Sequence, residues 1–533
     1  MCKEKGELLY NGIRLPVQWP PDYSEEIFEQ GKNPSPPYLT EKPETILIGK
    51  GRELFVDDFL IAESSCKRVF HYPEKYRENP ILKPEMPWEI NSVNGSSCAC
   101  PKSGGVWYDY EKKLYRMWYE AGWVNTICCA ESRDGIHWER PEYDIIPGTN
   151  RVLPYGIKCD SWTVVHDYYT ENKEARYKLF LMEPCWITRG MCFTSPDGIH
   201  WSKPTATGIA GDRSTMFYNP FRKKWCFSLR AYFAGQRMRN YAEGDDFISA
   251  SQWGCEPGKN SESKAVHWAG AEKSDPVNPA TNIAPQLYNL DAAPYESLML
   301  GFFQLHYGPP NNVGEATGVP KITELEFAYS RDGFHWSRPD RNCAIRCGNG
   351  DVWDRGYVQS LGNICTVDED KINFYYTGFQ GDEGSGRKSG MYHRGATGMA
   401  FLRRDGFASM DAPAEGAGLL TEKLRFEKPF SRLFVNVESS KGKFLAEILD
   451  ENGIVAEGFT KEDCLPISID STKVMVAWKN GSDLSRFAGK KIRIHFLMEN
   501  ASFYSFWVSP APDGKSYGYL AGGGPCYHGP IDD

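Results

Sequence analysis

The sequence predicts an all-β chain, a five-bladed β-propeller followed by a C-terminal β-sandwich. Three observations predict this fold. A seven-residue phrase recurs and ends each time in tryptophan, short apolar runs of strand length recur between its copies, and no long stretch has helical periodicity. The chain has 533 residues, which is too long for one compact core and fits a repeat array with an added module.

The recurring phrase spans Ser132–Trp138, Ser195–Trp201 and Ser330–Trp336. In each copy Asp-Gly indicates a tight turn between two strands, because glycine readily adopts the positive φ that such a turn needs. The interval between the second and third copies is about twice that between the first and second. We therefore expect a degenerate copy at Glu243–Phe247, and a fifth copy at Arg404–Phe407. The aspartates and histidines of the three full copies are predicted to form the turns and not to act in chemistry.

Paired apolar runs predict the first two strands of each blade. The first run ends in an acidic or amide residue, and the second follows after a turn. The predicted pairs are 106–109 with 114–119, 164–167 with 177–182, 216–219 with 225–229, 293–296 with 298–303, and 364–368 with 372–376.

Changes in composition and strand pattern along the chain predict four parts. Residues 1–46 are Pro-rich and predict an extended arm, and residues 47–411 hold the five repeats of the propeller. Residues 412–512 contain strands separated by turns and predict the sandwich. Residues 513–533 predict a loose C-terminal tail.

Composition argues against several classes of function. The 61 Lys+Arg against 70 Asp+Glu leave a net charge of −9, which disfavours a nucleic-acid partner. The longest apolar stretch, Ser297–Phe303, is far shorter than the roughly 20 residues of a membrane span. The sixteen cysteines lack zinc-site spacing and read as reduced thiols. Since the N-terminus also lacks the apolar core of a signal peptide, we expect a cytoplasmic protein, with a removed leader as the alternative.

A five-bladed propeller with S-x-D-G-x-x-W turns and a C-terminal sandwich resembles the glycoside hydrolase superfamily of families 32, 43 and 68. The phrases Leu54–Asp58, Pro87–Glu89 and Arg116–Tyr119 are similar to bacterial proteins grouped as family 32-like. The resemblance covers residues of roughly 47–510 and implies a carbohydrate substrate. Family 32 enzymes carry a nucleophilic Asp in a first-blade phrase, whereas Trp88–Gly95 of this chain has no Asp. Invertase-type chemistry is therefore not carried over to these residues.

The candidate site lies at the predicted channel mouth, where inner strands begin and second strands end. Counting back from the ends of the predicted inner strands places Asp160 and Asp212 at equivalent starts in neighbouring blades. Glycoside cleavage needs one protonated and one ionised carboxyl group, and clustered carboxylates raise each other's pKa. We predict Asp160 as base or nucleophile, Glu183 as acid, and Asp212 as the residue that orients them or tunes their pKa.

The same mouth is predicted to hold the residues that bind substrate. Arg213 or Arg230 would pair with the ionised carboxylate, and Trp118 and Trp162 would stack on a sugar face. The full predicted binding set is Lys102, Trp118, Glu120, Trp162, Arg213, Arg230, Asp291 and His306. We expect no cofactor, although the channel could hold a structural cation, and the oligomeric state stays open, a homo-oligomer included.

Two other functions stay open at this point. A phosphorolytic enzyme on a similar propeller would use Lys102, Arg213, Arg230 and the pair His393–Arg394 to hold phosphate. A non-catalytic sugar-binding propeller is supported by the missing first-blade Asp, since one fold hosts many functions.

Overall fold

The computed structural model describes residues 5–90, 95–185, 187–233, 235–255, 263–279, 281–385 and 390–533. These residues form strands with few helices, which confirms the predicted all-β class. The helical segments are Glu25–Glu29, Pro37–Thr40, Pro87–Ile90, Lys173–Ala175, Phe247–Ala250, Asn311–Thr317, Gly390–Tyr392 and Ser485–Phe487. Within the described ranges, none of the helices is long and apolar enough to cross a membrane.

Five small sheets, numbered here in chain order, account for most of the strands between residues 99 and 403. The first contains Ala99–Cys100, Val106–Asp109, Leu114–Ala121 and Thr126–Ser132. The second contains Ser161–His166, Tyr177–Met182, Ile187–Ser195 and Thr205–Gly211. The third contains Thr215–Asn219, Lys224–Phe233, Gln236–Gly244 and Val266–Ala269. The fourth contains Gln286–Glu296, Leu298–His306, Thr323–Ser330 and Tyr519–Leu520, and the fifth contains Gly356–Gln359, Thr366–Val367, Lys371–Phe379, Gly395–Arg403 and Glu74–Lys75.

The predicted strand pairs fall on antiparallel pairs of these sheets. Each of the five copies begins in the last two residues of a strand, or directly after it, in a different small sheet; these strands are Thr126–Ser132, Ile187–Ser195, Gln236–Gly244, Thr323–Ser330 and Gly395–Arg403. In the three full copies the Ser hydroxyl accepts a hydrogen bond from the Gly N–H at 2.9 Å. The Asp carboxylate holds the His ring at 2.7 Å in the pairs Asp134–His137, Asp197–His200 and Asp332–His335. The predicted turn-forming role of these aspartates and histidines is confirmed.

The first strand of each small sheet is called its inner strand here. In the first and fifth sheets the inner strand consists of two segments, Ala99–Cys100 with Val106–Asp109 and Gly356–Gln359 with Thr366–Val367. The five inner strands contact one another in a closed ring. Hydrogen bonds at or beside them join each sheet to the next and the fifth to the first. They are Val164 N to Gly104 O (2.9 Å), Arg213 N to Ser161 Oγ (2.8 Å), Thr215 Oγ1 to Asn289 Oδ1 (3.4 Å), Ser360 Oγ to Asp291 Oδ2 (2.7 Å) and Val106 N to Asn363 Oδ1 (3.0 Å).

Two six-stranded sheets share one apolar core, which includes Val435, Phe496 and Phe503. Their strands come from both ends of the chain, so the segment 46–70 pairs with residues 408–509. One sheet contains Ile46–Leu47, Ile61–Ser64, Ala417–Thr421, Leu424–Arg425, Lys443–Asp450 and Ile492–Glu499. The other contains Glu53–Leu54, Lys67–Phe70, Ala408–Ala412, Arg432–Glu438, Asp470–Met475 and Ala501–Ser509. Leu9 and Tyr38 of the predicted arm are buried in the same core.

The C-terminal segment predicted as a loose tail is built into the ring, so that expectation was wrong. Gly522 accepts a hydrogen bond from Tyr108 N at 2.9 Å and donates one to Cys365 O at 2.9 Å. Gly523 O accepts one from Val367 N at 2.9 Å, and Leu520 is fully buried. Inner strands end here and leave backbone N–H and C=O groups without partners in their own sheets. The tail supplies hydrogen-bond partners for these groups. The opposite end, where inner strands begin, is called the mouth below.

Candidate active site

The mouth is marked by backbone strain. Lys102, Arg213 and Tyr357 stand near the starts of the first, third and fifth inner strands, and their φ angles are 45°, 62° and 56°. Non-glycine residues rarely adopt such angles, and they persist where surrounding contacts hold them, often at functional sites. Non-glycine residues at the other end of the ring, such as Glu296 (49°) and Ile364 (60°), also have positive φ angles, so strain alone does not distinguish the mouth.

Asp160 and Asp212 lie at this mouth, close enough to affect each other's charge. Burial raises the pKa of Asp160, and Asp212 adds to this rise. Burial would also raise the pKa of Asp212, but Arg237 and Arg230 outweigh it and lower that pKa. Arg230 Nη1 contacts Asp212 Oδ1, and Arg237 Nη2 lies 3.7 Å from Oδ2. The pair therefore favours one protonated and one ionised carboxyl group.

Lys102 and Glu120 form a fully buried ion pair with an Nζ–Oε2 distance of 2.7 Å. Lys102 Nζ also donates to the Asp160 carbonyl at 2.9 Å, and Val124 N donates to Glu120 Oε1 at 2.8 Å. Since both side chains are fully buried and each already has the other as its charged partner, direct substrate binding by this pair was a wrong expectation. The pair supports the backbone of Asp160 instead.

Glu120 also lies beside two buried thiols. The ligand atoms of Cys98, Cys100 and Glu120 are within 4.8 Å of one another, a spacing that could suit a metal ion. The Lys102 ammonium already neutralises this carboxylate and would repel a cation. The cluster therefore does not fit a metal.

Trp118 and Trp162 have no exposed surface and pack in the apolar core of the first two sheets. Trp118 Nε1 donates to Gly198 O at 2.8 Å, which fixes this ring within the core. The expectation that these rings stack on a sugar was wrong, because burial leaves them no free face. A different aromatic pair stands near the mouth: Trp123 and Tyr392 stack with centroids 3.8 Å apart and planes inclined by 6°.

Glu183 and Asp291 lie in different surroundings. Glu183 is exposed just beyond Tyr177–Met182, and no described donor contacts its carboxylate, so its role as acid stays a prediction. Asp291 is buried inside the ring, where Oδ2 accepts hydrogen bonds from Ser103 (3.0 Å), Ser360 (2.7 Å) and Asn289 (2.9 Å). Asp291 therefore ties inner strands together below the mouth.

The His393–Arg394 pair has local partners. His393 Nδ1 accepts a hydrogen bond from Ser97 N at 3.1 Å, and the exposed Arg394 donates to Gln380 Oε1 at 3.1 Å. In the phrase Trp88–Gly95, residues 91–94 lie outside the described residues. Glu89 of that phrase is buried and accepts hydrogen bonds from neighbouring side chains, so it has a structural role.

Four mouth residues were not predicted: Arg237, Tyr288, Lys321 and Tyr357. Tyr288 Oη lies 2.7 Å from Tyr357 Oη and accepts a hydrogen bond from Lys321 Nζ at 3.3 Å. The guanidinium carbon of Arg237 lies 3.9 Å from the centre of the Tyr288 ring. His306, which was predicted, has its ring 5.5 Å from the same tyrosine, and burial lowers the pKa of His306 to about 3.

One of these residues had a signal in the sequence. Tyr288 directly precedes Asn289, the residue that aligns with Asp160 and Asp212 at the starts of inner strands. The strand pairing shifts by one residue between Leu287 and Asn289, and counting along the sequence takes no account of such a bulge. Arg237 and Lys321 lie on or near third strands, where no repeated pattern marks them.

Comparison with known proteins gave structural similarity only. No protein-family model and no curated protein matches the chain. An N-acetylgalactosamine deacetylase from F. plautii, solved in complex with blood group B trisaccharide, is 15% identical with a TM-score of 0.41, over 62% of this chain and 97% of that one. A β-fructofuranosidase from Schwanniomyces occidentalis, solved with fructosyl-erythritol, is 9% identical with a TM-score of 0.36, over 82% of this chain and 96% of that one.

A third match comes from the GH130 family of mannoside phosphorylases, which contains glycoside hydrolases that target β-1,2 mannosidic linkages in Candida mannan. It is 13% identical with a TM-score of 0.37, over 63% of this chain and 94% of that one. The matching structures thus include glycoside hydrolases, the class that the sequence resembles. Scores and identities of this size assign the chain neither a family nor an activity.

Proposed function

We propose that this protein is a glycoside-cleaving enzyme in which Asp160 is the acid and Asp212 is the ionised partner. The observation that carries the proposal is the placement of the two carboxyl groups near the starts of neighbouring inner strands, where Arg230 and Arg237 hold Asp212 and the pKa values of the two groups shift in opposite directions. Glycoside cleavage uses such a pair of carboxyl groups, and environments that separate two pKa values identify acid and base. Asp160 thereby takes the role that the sequence analysis gave to Glu183.

The ring of small sheets is, in this proposal, a five-bladed propeller, and the two six-stranded sheets are a β-sandwich. Support comes from the hydrogen bonds that join successive inner strands and the fifth to the first. The Glu74–Lys75 strand, which pairs with Gly395–Arg403, would complete the last blade. Under this division the residues 46–70 belong to the sandwich, so the predicted propeller of 47–411 begins later.

The chemistry at the mouth follows from these charges. Protonated Asp160 would give its proton to the glycosidic oxygen as the bond to the anomeric carbon breaks. Asp212, held ionised by Arg230 and Arg237, would face the positive charge that develops on the sugar, as nucleophile or as the base for water.

The test compares leaving groups. Wild type, Asp160→Asn, Asp212→Asn and Glu183→Gln are assayed on aryl-glycosides with good and poor leaving groups and on oligosaccharides. General acid catalysis contributes about 10²–10⁴-fold, so Asp160→Asn should lose that much on poor leaving groups and far less on good ones. Asp212→Asn should lose turnover on both kinds, and the exposed Glu183→Gln control should keep it.

Three outcomes would contradict the proposal. Equal losses of Asp160→Asn on good and poor leaving groups would show that Asp160 is not the acid, and loss in Glu183→Gln would restore the sequence-based assignment. Saturable sugar binding by wild type without turnover of any substrate would favour the non-catalytic binding propeller.

A further inference from the structure

A buried arginine without partners stands at the mouth. Arg213 is 2% exposed, and none of its three guanidinium nitrogens has a hydrogen-bond partner among the described residues. Its backbone, by contrast, is held on both sides. Arg213 N donates to Ser161 Oγ at 2.8 Å, and its carbonyl accepts from Arg239 Nη2 at 2.9 Å. A buried charge is costly without a partner, so this fixed side chain is prepared for a ligand that brings acceptors.

Two more cations contact Tyr288, on which the charge of Arg213 also acts. Arg237 is 8% exposed, and its Nε has no partner within the described part of the chain. Lys321 is 4% exposed, and its Nζ has one hydrogen bond, to Tyr288 Oη, with no described carboxylate within 4.0 Å. Although burial raises the pKa of Tyr288, Lys321 and Arg237 outweigh it and lower that pKa, and Arg213 adds to the effect. The region is therefore strongly cationic.

The carboxyl groups nearby do not balance these charges. Glu120 is closed in its pair with Lys102, and Asp212 is shared between Arg230 and Arg237. The charges of Asp160, Asp212 and Asp291 all act on Arg213, and burial raises the pKa of Asp160 and that of Asp291. Arg213 and Lys321 are left without a paired negative charge among the described residues.

We propose that Arg213, Arg237 and Lys321 form a subsite for an oxyanion. The planar guanidinium groups match the oxygens of a carboxylate, sulfate or phosphate, and the lysine adds a third donor. The anion could be a substituent of the sugar, such as the carboxylate of a uronic acid, or free inorganic phosphate. The assignment of the anion to a sugar rests on the proposed function, whereas binding of the anion itself does not depend on turnover.

The first experiment measures binding alone. Titration calorimetry and thermal shift use the full chain with inorganic phosphate, sulfate and glucuronate, and with glucose and matched chloride as references. Phosphate, sulfate or glucuronate should bind saturably, and Arg213→Met and Lys321→Met should each weaken this at least tenfold. Arg77→Met removes an exposed turn arginine and should leave the binding unchanged.

Stability separates a ligand site from a structural one. Since Arg213 lacks partners for its guanidinium, Arg213→Met should melt at the same temperature as wild type or higher, without ligand. A lower melting temperature for both Arg213→Met and Arg213→Lys would mean that the guanidinium supports the fold, and would overturn the proposal. So would the absence of saturable anion binding, or binding that both Met variants retain.

A second experiment distinguishes the source of the anion. Aryl-glucuronides are compared with aryl-glucosides, and turnover of neutral oligosaccharides is measured with and without phosphate. A preference in kcat/KM for the glucuronide that Arg213→Met abolishes assigns the subsite to the sugar, whereas phosphate-dependent turnover assigns it to free phosphate. Anion binding without any turnover would refute the proposed function alone. Turnover of neutral glycosides without anion binding would refute this inference alone.

Discussion

The substitution Glu296→Gln tests a buried ionic cluster at the end of the ring opposite the mouth. Glu296 has no exposed surface and ends the inner strand of the fourth sheet. Its carboxylate contacts Arg404 Nη2 and accepts hydrogen bonds from Arg52 N at 3.0 Å and Ser516 Oγ at 2.8 Å. These partners come from the N-terminal segment, the turn after the fifth sheet's third strand, and the C-terminal tail. One carboxylate therefore joins three distant parts of the chain.

The size of the effect follows from the charges. Arg52 and Arg404 are paired with two buried carboxylates, Glu296 and Asp405. Gln at position 296 removes the nearer carboxylate partner of buried Arg404, whose remaining carboxylate contact is with Asp405 at 3.7 Å, and it turns an N–H₂ group towards a donor. Breaking a buried pair in this way costs about 3–5 kcal/mol, against a total stability of about 5–15 kcal/mol for a typical protein.

Urea unfolding at pH 7, followed by tryptophan fluorescence, measures the loss. The control is Glu422→Gln, which removes a surface partner of Lys42 at 2.9 Å, where the expected loss is below about 1 kcal/mol. A loss for Glu296→Gln no larger than that of the control would refute the view that this cluster holds the ends of the chain to the ring.

Two further predictions concern catalysis and packing. Turnover should fall as pH rises through the raised pKa of Asp160, which must be protonated, and as pH drops through the lowered pKa of Asp212, which must be ionised. The dependence of kcat/KM on pH measures both limbs. An alkaline limb that persists in Asp160→Asn on a good leaving group would contradict the assignment. Gly198→Ala should lower the free energy of unfolding by about 2–4 kcal/mol, because φ is +74° and a Cβ would lie 2.5 Å from Trp118 Cζ2. Gly148→Ala, at φ +77° in open space, should cost only about 1 kcal/mol in the same urea assay, and equal losses would contradict the packing argument.

Much of the fold could be predicted because its determinants are local. The alternation of strand and turn depends on residues that are close together in the sequence. The copies at Glu243–Phe247 and Arg404–Phe407 were therefore placed correctly despite their divergence. The tail after residue 513 was misjudged, because its glycines suggested looseness. Its backbone is ordered by groups of inner strands more than 100 residues away in sequence, such as Tyr108 N and Cys365 O.

The candidate site was predicted in part. Asp160 and Asp212 were predicted as neighbours because the strand pattern repeats, so that equivalent positions in sequence come close together in space; their role in catalysis stays a prediction. Trp118 and Trp162 were misassigned because a residue type cannot show which face of a strand is covered, and here the neighbouring sheet covers both rings. Glu183 directly follows the end of its strand, close to the predicted place, but the residue is exposed.

The sequence by itself determined the all-β class, the five turns and the end of the inner strands where carboxylates gather, because these depend on local periodicity and repeat spacing. Only the tertiary structure decided which charges are paired. Lys102 is neutralised by Glu120 and Arg230 by Asp212, whereas the guanidinium of Arg213 has no partner among the described residues. Pairing depends on burial and on distances of a few ångströms between side chains of different sheets, and no sequence pattern records those distances.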